Sequence, residues 1–171
     1  MPKICDNKSV GIIVWKDGKL LMIERKKYPF GFALPAGHQD GDLPEKTAAK
    51  ELSEEVGLIA EKLEKKLEIS FKNPCRREGG THHAWTIFEA ILWYGELKPS
   101  DEETKKVFWA DNQAISSQVA KFEEFMGKVG MAIDSEKLPE ITKLFSENEL
   151  WKESPGLEPV MYFIFKDLGI I

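Results

Sequence analysis

The sequence predicts a layered α/β or α+β domain in which helices cover a mixed β-sheet. Apolar, β-rich segments flank one amphipathic helix in the first two thirds of the chain, and the last third is mainly helical in pattern. No internal repeat, low-complexity tract or long linker interrupts the 171 residues, of which 42% are hydrophobic. We therefore expect one domain, 1–171, with a core at about 9–115 and a helical C-terminal extension at about 116–171.

The N-terminal part of this domain is predicted to be a β-hairpin followed by a loop. Two apolar, β-rich runs between residues 9 and 26 flank Asp17-Gly18, a dipeptide that suits a tight hairpin turn. Residues 28–37 mix aromatic side chains with Pro and Gly, so we expect a loop with at most a short strand.

A helix is predicted next, because an N-terminal capping pattern, a stripe of apolar residues and a terminating glycine follow one another. Asp42 and Glu45 form a D-x-x-E capping pattern, Pro44 suits the first turn, and Gly57 suits the end. The apolar stripe between them consists of Ala48, Ala49, Leu52 and Val56.

Further strands and then helices complete the predicted order. The strands are expected around 67–72, 81–94 and 106–110. The helices are expected at about 111–126, with Asp111 as its cap, at 138–145 and at 160–168.

Charge and composition exclude several classes of function. A formal net charge of −5 argues against electrostatic capture of nucleic acid, which needs many basic side chains. No segment approaches the roughly 20 apolar residues that span a bilayer, and the N-terminus lacks a signal-peptide pattern, so we expect a cytoplasmic protein without a membrane partner. Cys5 and Cys75 lie far apart and form no C-x-x-C pair, which argues against a thiol-bound zinc ion.

Arginine is scarce, which makes each guanidinium a candidate for binding phosphate. The chain has only Arg25 and the adjacent pair Arg76 and Arg77, and a guanidinium can hold phosphate through two parallel hydrogen bonds. We assign all three to substrate binding, with chance placement on the surface as the alternative.

The predicted helix carries a cluster of acids. Glu51, Glu54 and Glu55 stand at i, i+3 and i+4 and therefore share one helix face. On an arbitrary helix such a cluster is usually a solvated surface. Three aligned carboxylates also suit Mg²⁺, which takes oxygen ligands and is commonly shared between protein carboxylates and substrate phosphates.

The segment 37–58 resembles the signature of the Nudix hydrolase family. That signature consists of a Gly, an acid, a seven-residue gap, Arg-Glu, an aliphatic residue, Glu-Glu, Gly and an aliphatic residue. The corresponding residues here are Gly37, Asp42, Lys50-Glu51, Leu52, Glu54-Glu55, Gly57 and Leu58. Three departures are Lys50 for Arg, Asp42 for Glu, and a spacing between Gly37 and Asp42 that is one residue short.

This resemblance, which extends over about residues 9–115, implies an α/β/α sandwich and hydrolysis with Mg²⁺ or Mn²⁺ as cofactor. It assigns Glu51, Glu54 and Glu55 to metal binding and catalysis, with Lys50 beside them. The carbonyl of Ala36 joins the metal ligands, while Gly37 permits the turn and borders the substrate. A later acid also contributes in many relatives, for which Glu103 is the first candidate and Glu102 the next. An ordinary solvated turn is the alternative for both.

The implied partner is a small nucleotide in which a phosphoanhydride bond is cut. Leu34-Pro35-Ala36-Gly37 and Pro74 resemble ADP-ribose and nucleotide-sugar pyrophosphatases, whereas the short N-terminal region counts against them. Two alternatives stay open: a nucleoside triphosphate pyrophosphohydrolase and a non-catalytic nucleotide sensor. A homodimer is compatible with the sequence. Of His82 and His83, alternation along a strand lets at most one face a given pocket.

Overall fold

The structure is a computed structural model that describes residues 2–171. It contains eight strands: β1 (Lys8–Ile13), β2 (Trp15–Lys16), β3 (Lys19–Arg25), β4 (Phe32–Ala33), β5 (Ala36–His38), β6 (Ile59–Phe71), β7 (His83–Tyr94) and β8 (Thr104–Ala110). Its helices are α1 (Pro44–Val56), α2 (Asn112–Val129), α3 (Leu138–Glu147), α4 (Glu149–Glu153) and α5 (Pro159–Asp167), with a 3₁₀ turn at Ser135–Lys137 before α3. The mixed α/β architecture expected from the sequence is confirmed.

One sheet is mixed and has the order β5-β1-β7-β6. β1 runs parallel to β7, whereas the pairs β1–β5 and β6–β7 are antiparallel. Five of the six residues of β1 are buried, as expected for a central strand that is covered on both faces. β5 places Ala36, Gly37 and His38 along one edge of this sheet.

The second sheet is antiparallel and contains β2, β3, β4 and β8, with β8 paired to β3. The turn predicted at Asp17-Gly18 is present, since both residues adopt positive φ angles of 50° and 73°. Its first arm is only the two residues of β2, because β1 diverges to become the centre of the mixed sheet. The predicted hairpin is therefore correct at the turn and wrong in its first strand.

Helix α1 packs against β1, β5 and β6, and two of its acids, Glu51 and Glu55, lie beside the edge strand β5. Ala48, Leu52 and Val56 are fully buried, as the apolar stripe predicts. Gly57 ends the helix in the left-handed conformation, with φ of 81°. The predicted capping pattern is wrong: the helix has no side-chain cap, and Asp42 instead pairs with Lys46, 2.7 Å away.

The C-terminal helices pack aromatic side chains against one another within the single hydrophobic core and reach back to the second sheet. Asp111 caps α2 by accepting a hydrogen bond from Ala114 N–H at 2.8 Å, as predicted, while the short helix α4 was not predicted. Glu158 N–H donates to the Phe32 carbonyl at 2.9 Å, which fixes the segment before α5 beside β4. Between residues 2 and 171, no helix has the length and hydropathy needed to cross a bilayer.

Candidate functional site

A cavity of about 220 Å³ opens where β5, the end of β3 and helix α1 meet. Both sheets and the C-terminal segment contribute to its wall. Its lining residues are Ser9, Arg25, Lys27, Tyr28, Pro29, Ala36, Gly37, His38, Glu51, Glu55, Asn73, Pro74, Cys75, Arg77, His83, Trp85, Glu103 and Glu158. Most of the side chains singled out in the sequence therefore converge on one place.

Two carboxyl groups of α1 face this cavity. Glu55 is only 3% exposed, and its Oε2 accepts a hydrogen bond from Ala36 N–H at 3.0 Å. Burial raises the pKa of Glu55 to about 8, although Arg25 and the Ala36 amide act in the opposite direction. Burial also raises the pKa of Glu51 to about 7, and the negative charges of Glu103 and Glu54 add to this effect. The site thus concentrates negative charge that the protein alone does not neutralise.

Gly37 lies directly against Glu51. A Cβ atom at this position would overlap the Glu51 carboxyl group, so only glycine permits this approach. Gly37 pairs with Val10 in extended β5 and does not have the positive φ angle of a turn glycine. The expectation that it permits a turn is therefore wrong, and its role here is close packing.

Glu54 and Lys50 lie outside the cavity wall. Both side chains are exposed, and Glu54 acts on the cavity through its charge on Glu51. Lys50 forms no ion pair within residues 2–171, and its charge acts from a distance, lowering the pKa of Asp42 and moderating the raised pKa of Glu51. It therefore does not hold a glutamate in the way that a bidentate arginine could.

Glu103 reaches the cavity from the turn before β8. The antiparallel pairing of β3 with β8 sets Arg25 opposite Thr104, and Lys26 N–H donates to the Glu103 carbonyl at 2.9 Å. The Glu103 side chain is exposed at the mouth and raises the pKa of both Glu51 and Glu55. Glu102 is exposed and does not line the cavity.

Of the three arginines, Arg25 and Arg77 line the cavity and Arg76 does not. Arg25 faces Glu55, and its buried Nε has no hydrogen-bond partner within residues 2–171. Arg77 forms a close ion pair with Asp40. The guanidinium of Arg76 instead lies over the Tyr28 ring, 4.6 Å from its centroid.

Glu158 is a cavity residue that the sequence did not indicate. It is buried just before α5, and burial raises its pKa to about 7, partly offset by the positive charge of Arg25. Its Oε2 lacks a hydrogen-bond partner among the described residues. No motif surrounds it in the sequence, and only the contact of its segment with β4 brings it to the site.

Cys5, His38, Cys75 and His83 form a compact cluster in the same wall, contrary to the expectation drawn from the separation of the two cysteines. One ligand atom of each lies within 4.8 Å of the others. Burial lowers the pKa of His38 to about 4, and it also lowers the pKa of His83. His83 is buried and its neighbour His82 is exposed, in agreement with the predicted alternation.

The acidic part of the cavity has the donor chemistry of a hard divalent cation. Glu51, Glu55 and Glu103 offer carboxylate oxygens and Ala36 offers a carbonyl within one small space. Burial and the negative charge of Glu103 raise the pKa of Glu51, and a cation bound among these oxygens would oppose that shift. The residues present therefore fit Mg²⁺ or Mn²⁺.

Comparison with known proteins agrees with this geometry. The family model described as NUDIX domain matches residues 6–132. An ADP-ribose pyrophosphatase from Methanocaldococcus jannaschii is 36% identical over 100 residues, which cover 57% of this chain and 57% of that protein. The chain thus matches little more than half the length of that curated relative.

Solved structures share the fold at low sequence identity. A MutT NUDIX hydrolase from Burkholderia pseudomallei superposes with a TM-score of 0.53 at 23% identity, covering 61% of this chain and 81% of that one. The NUDIX domain of Shewanella oneidensis NrtR, solved in complex with ADP ribose, gives 0.53 at 16% identity, covering 68% and 79%.

Proposed function

Because this chain belongs to the Nudix family, we propose that it hydrolyses a phosphoanhydride bond in a nucleoside diphosphate-linked substrate with the help of divalent cations. The observation that carries the proposal is the convergence of Glu51, Glu55 and Glu103 on one cavity beside Ala36 and Gly37. We assign the cation to these three acids and to the Ala36 carbonyl. Glu54, which lies outside the cavity wall but acts on Glu51 through its charge, is assigned as a further ligand from the family resemblance alone.

A bound Mg²⁺ or Mn²⁺ supplies charge neutralisation for the diphosphate and makes a water molecule more acidic. The protein supplies the positions of the reacting groups. Glu55 uses one oxygen to hold Ala36 N–H, which leaves its other oxygen for the cation and fixes β5 against α1. Gly37 lets the Glu51 carboxyl group approach the β5 backbone.

The reaction proceeds by attack of water on phosphorus and departure of the second phosphate as the anhydride P–O bond breaks. A glutamate of the cluster accepts the proton that the attacking water loses. Glu51 is the better base, because Glu55 uses one oxygen for Ala36 N–H and the other for the cation. No covalent enzyme intermediate is required.

Arg25 and Arg77 are the cavity guanidinium groups that we assign to substrate phosphate oxygens. Arg25 has an unpartnered Nε, and Arg77 is oriented by its ion pair with Asp40. Arg76 lies farther out on the Tyr28 ring, where it can bind only the outer part of a substrate.

ADP-ribose is the substrate we propose first. The 36% identity to an ADP-ribose pyrophosphatase supports it, although the match spans little more than half of that protein. Pro74, which the sequence suggested as a feature of such enzymes, lines the cavity. Nucleotide sugars share the same diphosphate and stay within the proposal, whereas nucleoside triphosphates form the competing class.

The test is a substrate panel with purified protein and Mg²⁺ or Mn²⁺, with EDTA as the control. The panel contains ADP-ribose, nucleotide sugars, dinucleoside polyphosphates, coenzyme A and nucleoside triphosphates. We expect cation-dependent formation of AMP and ribose 5-phosphate from ADP-ribose. Pyrophosphate release from triphosphates alone would favour the competing class, and a blank across the panel would contradict the activity.

A non-catalytic sensor is distinguished by comparing binding with turnover. If the wild-type protein binds ADP-ribose without forming product, the sensor hypothesis replaces the enzyme. For the enzyme, Glu54→Gln is expected to abolish turnover while ADP-ribose binding persists, measured by calorimetry at matched cation concentration.

A further inference from the structure

The Cys/His cluster has the geometry of a four-coordinate metal site. His83 Nε2 lies 3.3 Å from His38 Nε2 and 3.3 Å from Cys5 Sγ, and Cys75 Sγ completes a set within 4.8 Å. Tetrahedral zinc with bonds of about 2.0–2.3 Å requires ligand atoms roughly 3.3–3.8 Å apart. Two of the distances already match this spacing, and a shift of about 1 Å would bring the remaining ligand atoms, which lie within 4.8 Å, to the same spacing.

The surrounding hydrogen bonds orient these ligands. His83 Nδ1 lies 2.7 Å from the Asn73 backbone carbonyl, which can only accept, and 3.2 Å from the Asn73 side-chain nitrogen, which can only donate. The shorter contact assigns the proton to Nδ1, so the Nε2 lone pair faces the cluster. Asn73 is in turn held by Trp85 Nε1, which donates to its side-chain oxygen at 3.1 Å. This is the outer hydrogen-bonding pattern typical of a metal-binding histidine.

Both sulfur atoms also accept backbone hydrogen bonds from residues two positions later. Asn7 N–H donates to Cys5 Sγ at 3.3 Å, and the backbone amide of Arg77 hydrogen-bonds to the Cys75 thiol. Burial raises the pKa of the Cys75 thiol, and the Arg77 amide acts in the opposite direction, so a bound cation has to displace the thiol proton.

We infer that Cys5, His38, Cys75 and His83 form a second metal site, distinct from the acidic one, that binds a thiophilic divalent cation, with zinc the best match. Two thiolates balance the charge of Zn²⁺ and two neutral imidazoles complete the set, so this partly buried site has no net charge. Each thiol releases its proton to solvent on binding. Four protein ligands leave no open position, which indicates a structural site.

The ion would join four separate parts of the chain. Cys5 precedes β1, Cys75 lies in the loop after β6, His38 ends β5 and His83 begins β7. Cys75, His38 and His83 all line the cavity, and Arg77 lies two residues beyond Cys75. Zinc would therefore fix the cavity wall that carries Arg77, without taking part in hydrolysis.

Cobalt and thiol chemistry test this site independently of any enzymatic activity. We titrate reduced, metal-free protein with Co²⁺ and expect a saturable thiolate-to-cobalt charge-transfer band at one ion per chain, displaced by Zn²⁺. Zinc should also protect both cysteines from a thiol reagent. Glu51→Gln should retain the band, because it alters only the acidic site.

Substitution of the proposed ligand residues tests which side chains bind the ion. Cys75→Ser and His38→Gln should weaken zinc binding by at least roughly a hundredfold, because loss of a mere outer partner already costs 10- to 100-fold. His82→Ala is the matched control, since this neighbouring histidine is exposed outside the cluster. Absence of the charge-transfer band from wild-type protein, equal thiol reactivity with and without zinc, or full affinity in both ligand variants would overturn the assignment.

Discussion

The Cα atom of Gly37 and the carboxyl group of Glu51 approach so closely that no side chain fits between them. Glycine at this point of the signature therefore determines where a cation ligand lies. This contact links strand β5 to helix α1. A second link between the same two elements is the hydrogen bond that Ala36 N–H donates to Glu55 Oε2, with 3.0 Å between the two atoms. Together the two contacts make β5 and α1 one unit of the site.

Gly37→Ala is expected to lower turnover while preserving the fold. The backbone at this position does not have a positive φ angle, but the new methyl group would displace Glu51. Misplacement of a catalytic group by about 1 Å can cost on the order of a hundredfold in rate. The measurement is kcat, with circular dichroism as the check on folding.

Gly127→Ala is the control for this substitution, because nothing lies within 4 Å of the added Cβ on helix α2. It should leave turnover unchanged and stabilise the helix by up to about 1 kcal/mol. Wild-type turnover in Gly37→Ala would show that the position of Glu51 is unimportant.

Glu103 and Glu102 provide a matched pair at the mouth of the cavity. Both are exposed acids, but only Glu103 lines the cavity and acts on Glu51 and Glu55. Glu103→Gln should raise the Mg²⁺ concentration required for half-maximal turnover by roughly tenfold or more, since a ligand charge is lost. Glu102→Gln should match wild type, and an equal effect of the two substitutions would exclude a specific role for Glu103.

Stability of the cation-free protein should decrease as pH rises from 6.5 to 8. Burial raises the pKa of Glu51 and Glu158 to about 7 and that of Glu55 to about 8, all above their unfolded values. Each carboxyl group therefore ionises more readily in the unfolded state, so folding stability falls as pH rises through the folded pKa. Melting temperature in EDTA measures this decrease.

Titration of the histidines does not mask the expected decrease of stability in that pH range. Burial lowers the pKa of His38 from 6.5 to about 4 and also lowers that of His83, so their contributions to stability increase with pH up to about 6.5 and level off above it. Added Mg²⁺ should raise the melting temperature more at pH 8 than at pH 6.5, because it binds the ionised carboxylates. A melting temperature that increases over this range without Mg²⁺ would contradict the assignment of these shifts.

Lys50→Arg is expected to preserve or raise turnover. Lys50 is exposed and forms no ion pair in the described part of the chain, so its replacement disrupts no contact, while a guanidinium could hold Glu51 with two hydrogen bonds. Steady-state kinetics at saturating Mg²⁺ provide the measurement. A tenfold or greater fall with intact folding would show that the lysine has a dedicated role.

Short-range sequence patterns predicted those features that depend only on residues close together in the chain. The acids of α1, the stop at Gly57 and the turn at Asp17-Gly18 follow from short-range spacing, and their positions agree with the structure. Glu103 could be proposed because many relatives in the family use an acid on a later loop. Its approach to the cavity depends on the pairing of β8 with β3.

The residues that the sequence missed are brought to the site by long-range contacts. Glu158 depends on a backbone hydrogen bond to Phe32, and Cys5 meets His83 across 78 positions of sequence. Spacing rules for cysteine detect sites formed by neighbouring residues, so they do not apply to ligands from four separate segments. Burial of Glu55 was also missed, because a helix-face argument does not specify which acid faces the sheet.

Mn²⁺ binding to the substrate-free protein, followed by electron paramagnetic resonance of the free ion, tests the central claim most directly. Mn²⁺ prefers oxygen ligands, so it reports on the acidic site rather than on the cysteine cluster. We predict saturable binding to wild type and to Glu102→Gln, weakened by at least roughly tenfold in Glu51→Gln and in Glu55→Gln. Equal affinity in all four proteins, or no binding to wild type, would contradict the assignment of these glutamates to a cation.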